Sequence, residues 1–532
     1  MAATTSQPRN APTAEQEAGR FAFPTFAGWL LVFIASLCLY ATTANRGAQW
    51  QDSGEFILRI TTGDLLGHLG LALSHPLHYW LGRAAIAPGL LEPAFAITLI
   101  SSLGAALAVA TVFGCVRTLS GSAPAAFFAA TSLALANTFW HLGTIAEVYT
   151  LSAALLAGEC WCLAVYSKRG SRWAVWGMCL LNGLGLANHL QALLTLPVLA
   201  LVILHGVSSR RLRIGDLLIA MWLWLLGSLP YTGLVLGLIV RGANPTETLQ
   251  SALFGRHFSG AVLNASATTR MIMTDIAFPV LNFPNLLIPA ALYGLVRHQR
   301  VGMPKFACLA LIAMLVIHAA FVLRYEVLDQ HTFFLPTYTL LAIFGGVGAA
   351  AVLRWPATRK RESLCAAAIL LLLATPLLNI AAIVTARRAQ LLGQFAHRKP
   401  YRDDYIYLLV PWSVIDRSAE RMSSEAVHWA RPDGLILVED SMARSAVEYR
   451  RLQADLTGVG IRMVPPAGRQ EAMEELAADV RLEAQAGRAV VLVPLNRDRP
   501  RLVPPLGRWQ RRGDLYVLDP LAGTQPATET AR

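Results

Sequence analysis

Residues 93–116, PAFAITLISSLGAALAVATVFGCV, carry no charged side chain. A bilayer-spanning helix needs roughly 20 mainly apolar residues, and this stretch supplies them without interruption. Comparable runs lie near 27–44, 122–140, 147–166, 173–188, 190–206, 215–240, 276–296, 306–323, 333–353 and 364–386. The reading is therefore a polytopic α-helical membrane protein with about eleven transmembrane helices. The pair joined at Asn188-His189 is the shortest of these runs.

The bulk composition agrees. Of 532 residues, 55% are hydrophobic and 15% are charged, with mean hydropathy +0.47. A soluble domain carries about 25% charged residues, so a soluble enzyme, a disordered chain and a fibrous protein are excluded. The net charge of +12 would suggest nucleic acid in a soluble protein. In a membrane protein it reflects basic loops on one side of the bilayer, and no basic-aromatic module argues for nucleic acid. The seven cysteines (Cys38, Cys115, Cys160, Cys162, Cys179, Cys308, Cys365) all lie in or beside apolar runs. Cys160-Trp161-Cys162 has no metal-site spacing.

Charge sets the expected orientation. With the N-terminus inside, the inner loops gather sixteen basic residues, including Lys168, Arg169, Arg172, Arg210, Arg211, Arg213, Arg359, Lys360 and Arg361. The opposite short loops hold seven: Arg46, Arg59, Arg83, Arg241, Arg256, Arg270 and Arg324. This bias predicts N-in and, with an odd number of spans, C-out. Ala- and Leu-rich usage suggests a bacterial inner membrane, with the tail in the periplasm. Residues 1–26 read as a disordered cytoplasmic N-terminus, 27–386 as the transmembrane domain, 387–520 as an extracytoplasmic α/β domain and 521–532 as a flexible tail. The run 27–40 resembles a signal h-region, but its long polar prelude favours an uncleaved first span.

In the tail, strand-like runs at 435–438, 460–464, 489–493 and 515–518 alternate with helical patterns at 442–456 and 468–486, predicting a small, largely parallel sheet. Glu439-Asp440 closes the first strand, where ligands of such sheets bind, so a sugar- or acceptor-binding role is an option beside a loop that merely packs. No GxGxxG follows a strand.

The first outer loop carries the chemistry. Trp50-Gln51-Asp52-Ser53-Gly54-Glu55 opens it. Two amphipathic stretches follow, the first with Phe56, Ile57, Ile60, Leu65 and Leu66 on its apolar face, the second with Leu77, Trp80 and Leu81. Such helices suit the membrane interface and would hold two carboxylates at headgroup level. The alternative is a capping box, Asp52 as cap with Glu55 reaching back. His75, in Ser74-His75-Pro76, starts the second stretch. Glu147 opens the fourth span, as an active-site acid or a residue favoured by the helix dipole. Glu159 lies deeper, and an acid within the membrane is a functional candidate by default.

Asp52-Ser53-Gly54-Glu55, His75-Pro76, Glu147-Val148-Tyr149, Asn188-His189 and Asp329-Gln330-His331 follow one another in this order. In that order they resemble a family of multispanning proteins similar to the protein O-mannosyltransferases, of the transmembrane protein 260 type, within the GT-C class of lipid-linked-sugar glycosyltransferases. The likeness covers most of 45–345. Leu77 departs from it, standing where members often carry a second proline. The resemblance implies a GT-C-like fold, a polyprenyl-phosphate-linked sugar as donor and an extracytoplasmic protein or glycan hydroxyl as acceptor. It also implies an acidic base in the first outer loop: Asp52, with Glu55 in support. Candidates to bind substrate are His75, Glu147, His189, Arg256, His257, Arg324, Asp329 and His331, of which the cations could face the leaving phosphate. No cofactor is expected, although a divalent metal stays open. The competing readings are a transporter or flippase, for which Glu159 is the main argument, and a noncatalytic receptor displaying the tail domain.

Overall fold

The structure, a computed structural model, describes residues 25–256, 258–327, 329–393, 398–466, 468–502 and 508–519. His257, the N-terminal segment 1–24 and the expected tail 521–532 lie outside the described residues.

Among the described residues, eight helices are long and apolar enough to cross a membrane: Thr25–Thr43, Pro93–Ser120, Tyr149–Arg169, Leu190–Ser208, Ile214–Val240, Lys305–Arg324, Gln330–Leu353 and Arg359–Arg388. A ninth span forms if Met271–Asn282 and Leu287–Val301, which meet at 102°, count as one. Nine of the eleven expected runs are accounted for in this way, and the other two form shorter helices. The run at 122–140 is broken into Ala123–Ala134 and Asn137–Leu142. The one at 173–188 is the 17-residue helix Arg172–Asn188.

Small, apolar residues also fill the interior of the bundle. Pro93–Ser120 and Gln330–Leu353 are mostly buried by protein, whereas Arg359–Arg388 is mostly exposed. Close approach of helices needs glycine. A Cβ on Gly183 would lie 2.3 Å from the Trp224 carbonyl oxygen, and one on Gly227 would lie 2.6 Å from that of Leu180.

Loops collect at two ends. At one, Arg354 donates to the carbonyls of Ser120 and Arg300, and Lys168 to that of Gly302. At the other, Asn45 N bonds Thr144 O (2.8 Å), Arg256 N bonds Leu69 O (2.9 Å) and Gln191 Nε2 bonds Phe333 O (3.0 Å). The first loop, the segments near 145, 189, 255 and 330, and the C-terminal domain therefore share one end, as the charge pattern required.

The C-terminal domain holds a five-stranded sheet in the order β2-β1-β3-β5-β4, with β1 Leu435–Val438, β2 Gly460–Met463, β3 Val490–Val493, β4 Arg508–Arg512 and β5 Leu515–Asp519. β1 pairs in parallel with β2 and β3, while β5 runs antiparallel to β3 and β4. The sheet is mixed rather than largely parallel. The missed strand, Arg-Trp-Gln-Arg-Arg, is a charged edge, and charges on an edge strand discourage further pairing while erasing the apolar alternation that announces a strand. The helix Ser441–Gln453 packs against the first-loop helix Gln51–Thr62. Tyr449 of the same helix is buried, accepts from Ala94 N (3.2 Å) and donates to Glu92.

Candidate active site

Between the first loop, the starts of the Tyr149 and Leu190 helices and the 253–262 and 321–333 segments lies a cavity of about 320 Å³. Asp52, Glu55, His75, Glu147, His189, Arg324 and Asp329 line it, so seven of the ten residues singled out from sequence converge there. Three do not. Arg256 is exposed beside it, bonded through its backbone to Leu69. His331 turns its ring toward Phe278, 6.2 Å away. His257 is outside the described residues.

Asp52 sits in the first turn of the Gln51–Thr62 helix, Glu55 opens the second, and Arg59 follows one turn after Glu55. Spacings of three and four residues share a helix face, and the same helix buries Phe56, Ile57 and Ile60. The capping-box alternative is corrected: Trp50 is the cap residue and the helix has no side-chain cap bond. Both acids are free of that duty. Asp52 is exposed on the open cavity, and the protein crowded around it, with the charges of Asp329 and Glu55 added, raises its carboxyl from 3.8 to about 6. Glu55 accepts from Ser445 Oγ (2.6 Å) and lies 3.4 Å from His68 Nδ1.

Glu147 is anchored from behind. Ser53 Oγ donates to its Oε1 (2.9 Å), while Ser101 Oγ accepts from its backbone N and donates to its carbonyl oxygen, both at 2.8 Å. Burial, reinforced by Asp52, pushes its carboxyl well above the usual range. Four carboxylates thus face one cavity with two arginines, and the crowding of like charge adds to burial in raising Asp52 and Glu147.

His75 and His189 stack at 5.3 Å with 10° between ring planes. His75 Nδ1 donates to the Asn188 carbonyl (2.7 Å), leaving Nε2 as an acceptor, and His189 Nδ1 accepts from Gln191 N (3.1 Å), leaving Nε2–H as a donor. Burial above all lowers both imidazoles, that of His189 to about 4, so the pair is neutral. Tyr149 and Phe333 close around His189 at 5.3 and 5.7 Å, and Tyr149 Oη lies 3.4 Å from Asp329 Oδ2. His75 has φ +48°, a left-handed backbone uncommon outside glycine.

Two arginines meet the cavity. Arg324 bonds the carbonyls of Val262 (2.6 Å) and Asn264 (2.5 Å) through Nη1, which leaves its remaining N–H groups for a ligand. Arg59, 6% exposed, ties down the loop after its helix through the carbonyls of Asp64, Leu65 and Leu73. Arg59 was missed as a site residue. Its signal was present: a cation on the otherwise apolar face of an amphipathic helix, in line with Asp52 and Glu55. Away from the charges the wall is apolar, built by Leu73, Leu193, Leu253, Phe254, Phe258 and Phe321 among others. Among the described residues no three His, Cys, Asp or Glu side chains are grouped as a metal site.

The acids expected elsewhere are engaged within the fold. Glu439 accepts from Leu495 N (2.8 Å) and Arg501 N. Asp440 caps the Ser441 helix through Met442 N (3.1 Å) and pairs with the buried Lys399. Glu159 is bonded by Asn182 (3.3 Å), a partner no sequence pattern indicated.

The structure is a bundle of membrane-length helices with a polar cavity at one end, under a small α/β domain. Residues 52–211 match the family model described as the protein O-mannosyl-transferase TMEM260 N-terminal domain, which bears out the resemblance read from the motifs. ArnT from Cupriavidus metallidurans is similar in structure. Its form bound to undecaprenyl phosphate superposes with a TM-score of 0.60 at 15% identity, covering 94% of this chain and 99% of that one. Its apo form gives 0.61 at 15% identity, covering 94% and 100%. No curated protein matches in sequence. The chain thus shares the fold of ArnT, and the matched stretch 52–211 carries Asp52, Glu55, His75, Glu147 and His189 of the cavity.

Proposed function

We propose that this enzyme transfers a sugar, with mannose favoured, from a polyprenyl-phosphate donor to a hydroxyl of a protein or glycan acceptor, with inversion at the anomeric carbon. The observation that carries the reading is the meeting of Asp52 with Arg59 and Arg324 around one cavity that also has an apolar wall. The apolar wall suits a prenyl chain, and the arginines suit the phosphate at its end. In this scheme the acceptor hydroxyl attacks the anomeric carbon while the phosphate departs. Asp52 takes the hydroxyl proton as general base, a role that needs a carboxylate within hydrogen-bond reach and a pKa near working pH. Arg324, aided by the field of Arg59, stabilises the charge growing on the leaving phosphate. Glu55 and Asp329 keep Asp52 basic, and the neutral His75–His189 pair offers one acceptor and one donor to sugar hydroxyls. The scheme calls on no cofactor.

The ArnT structure bound to undecaprenyl phosphate supports a lipid-phosphate donor by analogy of fold. The basic end of the bundle supports a cytoplasmic N-terminus, and with it a cavity and C-terminal domain facing the periplasm from an inner membrane. A transporter is less well supported, because Glu159 is bonded within the bundle and does not face the cavity. The test is transfer of radiolabelled mannose from polyprenyl-phosphate mannose to acceptor by the purified protein in proteoliposomes. Labelled acceptor is expected. Counterflow of the donor with no labelled acceptor would contradict the proposal.

A further inference from the structure

The chain leading to Asp52 is held almost step by step by the C-terminal domain. Asn45 Nδ2 donates to Asp416 O (2.9 Å), Ala48 N to Glu420 Oε2 (2.9 Å) and Trp50 Nε1 to Ser418 Oγ (2.8 Å). Gln51 comes next and has φ +56°, a left-handed conformation that non-glycine residues keep only where their surroundings over-determine it. Those surroundings are again C-terminal. Tyr407 Oη donates to Gln51 Oε1 (2.8 Å), and Gln51 Nε2 donates to Met442 Sδ (3.2 Å). Tyr407 is in turn fixed by Arg402, whose guanidinium lies 4.3 Å from the centre of its ring and is bonded to Asp404 through Nε (2.8 Å). Neither Tyr407 nor Arg402 lines the cavity.

We propose that Tyr407 is a positioning residue: by holding Gln51 in its left-handed turn it aims the Asp52 carboxylate into the cavity, so the C-terminal domain completes the active site. The turn direction at residue 51 decides where the first side chain after it points. A relaxed right-handed Gln51 would swing the start of the helix and move Asp52 away from the acceptor. Displacement of a catalytic group by about 1 Å costs on the order of 100-fold in rate, while the arginines that hold the donor are untouched. The inference rests on the assignment of Asp52 as base.

The test uses the full chain in proteoliposomes, reading kcat, donor KM and melting temperature. Tyr407→Phe is expected to lower kcat roughly tenfold with donor KM within about twofold of the parent, since the catalytic group moves and the donor site does not. Adding Gln51→Gly to that variant is expected to restore most of the lost kcat, because glycine adopts positive φ without a clamp. Unchanged kcat in Tyr407→Phe would overturn the inference. So would a loss that tracks a lowered melting temperature and is not relieved by Gln51→Gly, the mark of a merely structural tyrosine. Asp52→Asn is run beside them: full turnover there removes the base assignment, whereas an inactive Asp52→Asn beside an unimpaired Tyr407→Phe removes this inference alone.

Discussion

Asp52 with Glu55 and Glu439 with Asp440 are both acidic pairs at the start or end of a regular element, and the fold treats them in opposite ways. Glu439 and Asp440 are engaged by the Leu495 and Arg501 amides, Lys399 and Met442 N. Burial raises Glu439 too, against the pull of the Leu495 and Arg501 amides, but Asp52, raised to about 6, faces a cavity shared with three more carboxylates. An acid that the protein neutralises serves the fold. One whose charge is left uncompensated in a cavity holds a reserve of proton affinity for chemistry, at a cost in stability.

The strongest way to break this contrast is to neutralise the cavity member. Asp52→Asn is expected to cut kcat by about 10²–10⁴-fold, the usual worth of a general base, with donor binding preserved. Its melting temperature at pH 7 should hold or rise. The sign follows from the shift: a carboxyl raised from 3.8 to about 6 on folding costs stability above pH 6, and that cost fades as pH falls through 6 toward 4. A clear loss of thermal stability in Asp52→Asn would erase the distinction between the two pairs.

Next in size is Arg324→Ala, expected to raise the donor KM about 10–100-fold through loss of charge-assisted hydrogen bonds worth about 1.5–3 kcal/mol. Glu439→Gln should do the reverse of Asp52→Asn: a stability loss of about 1.5–3 kcal/mol by chemical denaturation, with kcat per folded molecule unchanged. Reduced kcat there would bring the tail acids into the chemistry. The smallest effect is in the pH profile. The rate of the parent should fall tenfold per unit below about pH 6, as Asp52 gains its proton. Asp329→Asn removes a charge that raises Asp52, so its acid limb should move to lower pH. A shift to higher pH, or none, would show that Asp329 does not act on Asp52.

Much of this was legible in the chain. The spacing of Asp52, Glu55, His75, Glu147, His189, Arg324 and Asp329 announced one site because each falls at the same end of an apolar run, and ends of spans gather in space. Arg256 misled for the same reason: it lies at the right depth, but its neighbours Phe254 and Phe258 take the cavity wall. Arg59 was hidden because its role depends on how residues 64–73 curl back to offer their carbonyls. The contacts of Tyr407, Met442 and Ser445 with Gln51 and Glu55 join segments hundreds of residues apart, and no local pattern encodes such docking. The broken run at 122–140 shows the limit of hydropathy, which registers apolar composition but not the turn at Leu135–Ala136.

The central claim is spatial, and a density map of the protein with polyprenyl-phosphate sugar bound tests it most directly. The account predicts the phosphate against Arg324 and the anomeric carbon facing the Asp52 carboxylate across a gap that one acceptor hydroxyl fills. A headgroup seated outside this cavity, or with its anomeric carbon turned away from Asp52, would contradict it.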